Sequence, residues 1–179
     1  MPDGYRFVLT GGPAVGKTSL ANHLAGMGYP VVRESARDVI EEQQALGSKL
    51  VPWRDRPAFQ MRVLEIQLER EGLASGEVIF CDRGIPDGFA YLRLDDYDDL
   101  PELLHHGAGR YNGVFLIEPL DQYVPDNVRF EDVKTAQRVH ELINEVYVEL
   151  GYQPVKVPVL PLAERAEWLL ERVHEFTRI

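Results

Sequence analysis

The run Gly11-Gly12-Pro13-Ala14-Val15-Gly16-Lys17-Thr18 fits the pattern GxxxxGK[ST] and lies between an apolar, β-like stretch, Phe7-Val8-Leu9, and the helix-like SLANHLAGMG. This constrains the fold more than any other feature, because the motif's chemistry needs a strand, a tight loop and a helix in that order. Glycines let consecutive backbone N–H groups turn inward around a phosphate chain. The helix that follows adds its unpaired N–H groups and the positive end of its dipole. Gly11, Gly12, Pro13, Ala14, Val15, Gly16, Lys17, Thr18 and Ser19 are therefore expected to cradle a nucleoside triphosphate, ATP or GTP. Lys17 is expected to neutralise the β and γ phosphates, and Thr18 to offer its hydroxyl to the accompanying Mg²⁺.

The rest of the chain repeats the alternation that the motif begins. Five short apolar runs, RFVL, PVV, VIFC, GVFLI and PVKV, are separated by segments of helical periodicity. That is the pattern of a parallel sheet with helices on both faces. A first helix carries Leu20, Ala21, Leu24 and Ala25 on one side and ends at Gly26 and Gly28. A second starts near Ser35, a capping residue type, and runs to about Gly47. Phe59, Val63, Ile66 and Leu73 mark a third between Pro57 and Ala74. Val133, Ala136, Val139, Ile143, Val146 and Leu150 mark a long one that Gly151 stops, and a last helix spans residues 162–176. The acidic segment from Leu94 to Gly109 is expected to form a short helix and a loop, with its charges solvated. The 179 residues suit one domain, with a lid near residues 119–133.

Acidic residues outnumber basic ones by 29 to 19, which opposes nonspecific binding to nucleic acid or to an anionic membrane. No apolar run approaches the roughly 20 residues that span a bilayer, and the start of the chain reads as a strand rather than a signal peptide. A single cysteine, Cys81, permits neither an internal disulfide nor a cysteine metal cluster, in keeping with a reducing cytoplasm. His105 and His106 are adjacent and would diverge by about 100° on a helix, so they do not form a metal pair by themselves.

Chemistry is expected where the runs end, because open α/β sheets bind ligands at the carboxyl edge of their strands. Cys81-Asp82-Arg83-Gly84 brings a carboxylate and a guanidinium there. Asp82 is open to three roles: orienting Mg²⁺ through a water, accepting the proton of an attacking hydroxyl, or capping a helix. Arg83 suits a substrate carboxylate or phosphate, or an ion pair with Asp87. Arg33-Glu34-Ser35-Ala36-Arg37 ends the second run, with Glu34 and Arg37 placed either to bind an acceptor or to pair with each other. Gln60 and Arg62 are weaker candidates of the same kind. The polar stretch after Ile117 contains Tyr123, Arg129 and Phe130. Its closure would set Arg129, and Arg138 beyond it, against a transferring phosphoryl group.

The segments FVLTGGPAVGKTSL, VVRESARDVI, VIFCDRGIPD, DNVRFED, LGYQPVKVP and ERAEWLLERV together resemble the P-loop kinase-like family that carries an AAA-type label. That family includes the nicotinamide riboside kinase domain of bacterial NAD regulators. The resemblance implies a three-layer P-loop NTPase fold with a five-stranded parallel sheet in the order 2-3-1-4-5. The expected activity is Mg-ATP-dependent phosphoryl transfer to a hydroxyl or phosphate of a small metabolite. Lys17, Asp82 and Arg129 are the catalytic candidates, with Glu34, Arg37 and Arg83 on the acceptor. Two other outcomes remain open: hydrolysis of a nucleoside or thiamine triphosphate, and a nucleotide-dependent regulatory module. Asp82-Arg83 stands where a ring-forming motor needs an Asp-Glu pair, and no NKxD guanine-recognition sequence occurs.

Overall fold

The computed structural model describes residues 4–119 and 133–177. Five strands, β1 (Tyr5–Thr10), β2 (Val31–Val32), β3 (Val78–Asp82), β4 (Gly113–Ile117) and β5 (Val155–Val157), pair in parallel in the order β2-β3-β1-β4-β5. The expected sheet is the observed one. Along β1 the side chains alternate between two buried faces. Phe7 and Leu9 join Phe80, Phe115 and Val157 beneath α1 (Lys17–Gly26) and α7 (Leu162–Thr177). Val8 joins Ile79, Cys81, Val114 and Leu116 beneath α4 (Asp87–Leu94) and α6 (Val133–Glu149). Burial on both faces explains why the strands read as continuous apolar runs instead of alternating ones. Register then sets the site: Leu9 of β1 stands opposite Asp82 of β3, so the loop after β1 and the carboxylate ending β3 leave the sheet side by side.

The remaining helices are α2 (Ala36–Ala45), α3 (Arg56–Leu73) and α5 (Pro101–Gly107). Leu64, Ile85, Phe89, Leu92, Leu103 and Val146 form a third apolar cluster between α3, α4, α5 and α6. Helix α4 escapes periodicity because it has eight residues, too few to repeat an apolar face. Ser35 occupies the N-cap position of α2 but does not cap it; its hydroxyl lies 3.2 Å from Gln67 Oε1. In α3 the buried side is Phe59, Gln60, Leu64, Gln67 and Glu71, while Leu73 is exposed. Val63 and Ile66 are only partly buried, and Ala25 of α1 is exposed. The α3 face is half polar because it supplies a buried hydrogen-bond network behind the site. His105 and His106 meet edge to face near the end of α5, and the described residues contain no cluster of metal-ligating side chains. No described helix is long and apolar enough to cross a membrane.

Candidate nucleotide and acceptor site

The loop from Gly11 to Gly16 closes with three residues in the left-handed region: Gly11 at φ 140°, Ala14 at 58° and Gly16 at 88°. Two are glycines, for which this costs little, and the turn lets α1 begin at Lys17. Lys17 is buried and its ammonium donates to the Gly12 carbonyl at 2.5 Å. Burial, helped by the nearby Arg83 charge, pulls its pKa down to about 7. A cation held that way gains from an arriving polyanion.

Beside it, the Thr18 hydroxyl donates to Asp82 Oδ2 at 2.9 Å. The other oxygen, Asp82 Oδ1, is buried without a hydrogen-bond partner. Burial raises this carboxyl above its ordinary range, with the Thr18 bond opposing. A hydroxyl and a carboxylate with an uncommitted oxygen, next to a phosphate loop, form a donor set that fits Mg²⁺ and its waters. Asp82 is not a helix cap, since α4 starts five residues later with Pro86 in the N-cap position.

Arg83 is the other strained point, a non-glycine residue at φ 75°. Its backbone N–H donates to Leu9 at 3.0 Å and its carbonyl accepts from Gln67 at 3.3 Å. Its guanidinium bonds Glu34 at 3.0 Å and Asp87 at 3.2 Å. The ion pair with Asp87 that the spacing allows is therefore present, and Glu34 pairs with Arg83 rather than with Arg37. Asp87, 3% exposed, also accepts from Tyr147 at 2.8 Å and lies 2.9 Å from the Thr10 hydroxyl through both oxygens. Behind them Glu71, wholly buried, accepts from Gln67 and Tyr111, both at 2.8 Å, and pairs with Arg110 at 2.5 Å. Tyr111 in turn accepts the Ile85 N–H at 2.9 Å. The backbone from Arg83 to Ile85 is thus held from two sides.

These groups open onto a cleft of about 770 Å³. Glu34, Arg37, Gln60, Arg83 and Asp87 line it, together with Trp53, Phe59 and Tyr91. Gln60 is 5% exposed, yet its amide has no hydrogen-bond partner among the described residues. Gly88 makes room for it, because a Cβ there would stand 3.0 Å from Gln60 Oε1. Trp53 is 63% exposed at the cleft mouth. Tyr91 lies under two guanidiniums, Arg83 at 5.5 Å and Arg56 at 5.8 Å from the ring centre.

Arg62 is not at the cleft; it pairs with Glu65 and Glu42. Arg138 pairs with Glu141 and Glu145 of its own helix. Tyr123, Arg129, Phe130 and all but the ends of the expected lid lie outside the described residues. Two participants carry no signal in the sequence pattern, and a third, Asp87, is marked there only as an ion-pair partner of Arg83, its bonds to Thr10 and Tyr147 carrying none. His140, which accepts the Gly12 N–H at 3.1 Å, sits beside the apolar stripe of α6. Arg165 reaches from α7 to the Val15 and Leu160 carbonyls at 3.4 and 3.0 Å.

The parallel 2-3-1-4-5 sheet with its loop after β1 is the P-loop NTPase fold. Residues 6–165 match a family model described as "AAA domain", and the chain belongs to that AAA-type family. The NadR protein solved in complex with NR has a similar fold, with a TM-score of 0.71 and 21% identity over 98% of this chain and 52% of that one. Thymidylate kinase from Candida albicans has a TM-score of 0.65 and 16% identity, covering 97% and 92%. Among curated proteins, the tRNA modification GTPase MnmE of Sulfurimonas denitrificans is 29% identical over 150 residues, 78% of this chain and 33% of that protein. The MnmE of Parvibaculum lavamentivorans is 28% identical over 94% of this chain and 39% of its own. The chain thus spans about a third of the length of these curated relatives.

Proposed function

We propose that the chain transfers the γ-phosphoryl group of ATP to a hydroxyl of a small, uncharged acceptor that carries a flat ring. The observation behind this reading is the cleft itself, a cavity of about 770 Å³ joined to the phosphate loop and lined by both carboxylates and aromatic rings. A hydrolase needs no such space. Lys17 and the loop amides of residues 11–19 hold the triphosphate. Thr18 and Asp82 hold Mg²⁺, which when bound neutralises charge on the β and γ oxygens. With Asp82 engaged by Thr18, the acceptor's proton goes to Glu34, which lines the cleft and bonds Arg83 through only one oxygen. Arg83 orients Glu34 and meets the acceptor, and to Arg129 falls the charge of the transferring group.

A hydroxyl acceptor is favoured over a phosphate because the cleft's arginines are mostly spent. Arg83 serves Glu34 and Asp87, and Arg56 serves Asp95 at 2.7 Å, leaving Arg37 without an ion pair among the described residues. Trp53 offers a face for a ring, and the unpartnered Gln60 amide suits a donor–acceptor edge such as a lactam or carboxamide. A nucleoside meets these demands, and solved relatives of this fold include NadR with NR and a deoxyadenosine kinase from M. mycoides.

The test is ADP release from Mg-ATP with uncharged nucleosides, their monophosphates and sugar alcohols offered separately. A nucleoside should release ADP mole for mole with phosphorylated product, and Lys17→Ala and Glu34→Gln should abolish this. Release that no acceptor alters would replace the kinase with a hydrolase, and stimulation by monophosphates alone would overturn the choice of acceptor. Nucleotide binding with no release under any condition would leave a regulatory module.

A further inference from the structure

Helix α6 touches the phosphate loop more closely than side-chain packing alone requires. A Cβ on Gly12 would stand 3.0 Å from the Ala136 carbonyl and 3.1 Å from His140 Cβ, and one on Gly11 would stand 3.5 Å from His140 Nδ1. At Gly12 a side chain would crowd α6 by a few tenths of an ångström, whereas at Gly11 the gap to the imidazole is ordinary contact. The product of this approach is the 3.1 Å hydrogen bond from the Gly12 N–H to His140 Nδ1. The same residue's carbonyl receives the Lys17 ammonium at 2.5 Å, so Gly12 links the imidazole on one side to the phosphate-binding lysine on the other.

We propose that His140 is a positioning residue for the nucleotide: unprotonated, it fixes Gly12 and with it the phosphate loop, and on taking up a proton it releases the loop and weakens nucleotide binding. The inference rests on the reading of residues 11–19 as a nucleotide site. Its warrant is stereochemical. An N–H donor requires a lone pair on Nδ1, which leaves the proton on Nε2. Protonation at Nδ1 sets two donors against each other at hydrogen-bond distance. The group then loses its bond and must turn away from a wall too close to accommodate movement.

The charges facing His140 come from each element around it. Glu118 at the end of β4 and Glu141 on α6 favour the imidazolium, while Lys17 on α1 and Lys156 on β5 oppose it. Burial outweighs them and holds the imidazole below its ordinary pKa. The bond is therefore intact at neutral pH and breaks only in acid. Linkage requires the converse as well, since a nucleotide that needs the neutral ring must depress the ring's proton affinity further.

The experiment measures the dissociation constant of Mg-ATP between pH 5 and 8 for the wild type, His140→Asn and His140→Ala. Asparagine places a non-titrating acceptor near Nδ1. Protonation of the triphosphate and of Lys17 is common to all three proteins, so the difference between curves isolates His140. His140→Asn should match the wild type within about threefold at pH 7.5 and should not share its additional acid loss of about tenfold. His140→Ala should bind about tenfold more weakly at pH 7.5 and also lack the additional loss. Should a variant fold poorly, the His140 ring proton resonance in the wild type serves instead, with its titration moving to lower pH on nucleotide saturation. Parallel pH curves for wild type and His140→Asn, an alanine variant that binds as tightly as wild type, or a ring titration insensitive to nucleotide would each overturn the proposal while leaving the nucleotide site standing. Failure of the wild type to bind Mg-ATP at any pH would instead remove the underlying reading.

Discussion

Replacing Asp87 by alanine tests how far the candidate site is built into the fold. Asp87 accepts from Tyr147 at 2.8 Å, from Thr10 at 2.9 Å and from Arg83 at 3.2 Å. Hydrogen bonds to a charged acceptor contribute roughly 1.5–3 kcal/mol each, but the three sites differ in what replaces them. Arg83 lines the cleft, so water and Glu34 compensate it. Thr10 and Tyr147 are both 0% exposed, and no water reaches their hydroxyls. Two buried hydroxyls left without an acceptor cost about 1–3 kcal/mol each, so Asp87→Ala should destabilise by about 4 kcal/mol. For a domain of this size that lowers Tm by about 8–16 °C. Urea and thermal unfolding measure it. The Asp87→Ala/Thr10→Val double variant should recover at least about 1 kcal/mol relative to the sum of the singles, because valine has no hydroxyl to strand. A loss under about 1 kcal/mol with cooperative unfolding would refute the accounting.

Asp82→Asn should raise the Mg²⁺ concentration for half-maximal nucleotide binding by about tenfold or more, with metal-free binding little changed; a titration of Mg²⁺ at fixed ATP decides it. Gly12→Ala should weaken Mg-ATP binding by at least about tenfold, since its Cβ would stand 3.0 Å from the backbone oxygen of Ala136, and calorimetry at pH 7.5 reads the effect. Because His140 has a lowered pKa in the fold, its contribution to stability is complete above the unfolded value of about 6.5 and is lost as pH falls through the folded value. Wild type should accordingly lose more Tm than His140→Asn between pH 7.5 and 5. Trp53→Ala should raise KM for the ring-bearing acceptor by about tenfold and leave KM for ATP unchanged.

The strands and the phosphate loop were legible because each has a local signature, whereas the order of the sheet followed only from the family resemblance. Strands buried on both faces announce themselves as unbroken apolar runs, and GGPAVGKT needs no partner to be recognised. Asp82, Arg83 and Glu34 were legible one step removed, as polar residues ending such runs. Asp87 was legible only as a neighbour for Arg83, not through its bonds to Thr10 and Tyr147, and His140 and Arg165 were not legible, because nothing in their own segments marks them. They are brought to the loop by the packing of α4, α6 and α7, and their contacts span 77, 128 and 150 residues of sequence. Helix α3 shows the same limit from another side. Periodicity favoured Val63, Ile66 and Leu73 for its inner face, but the fold turns Gln67 and Glu71 inward to a buried network and sets Gln60 against the cleft.

That network divides the cleft into parts with different freedom to change. Arg83 is tied through its amide, carbonyl and guanidinium, and Asp87 through three donors, so substitution there disturbs the core before it alters selectivity. Arg37, Glu41, Gln44 and Trp53, by contrast, are exposed at the opposite wall and touch the same cavity. If the proposed transfer holds, descendants of this scaffold can exchange one acceptor for another by drift along α2 and the segment after it, with the phosphate loop carried forward unaltered. An engineer seeking a new acceptor would begin at that wall.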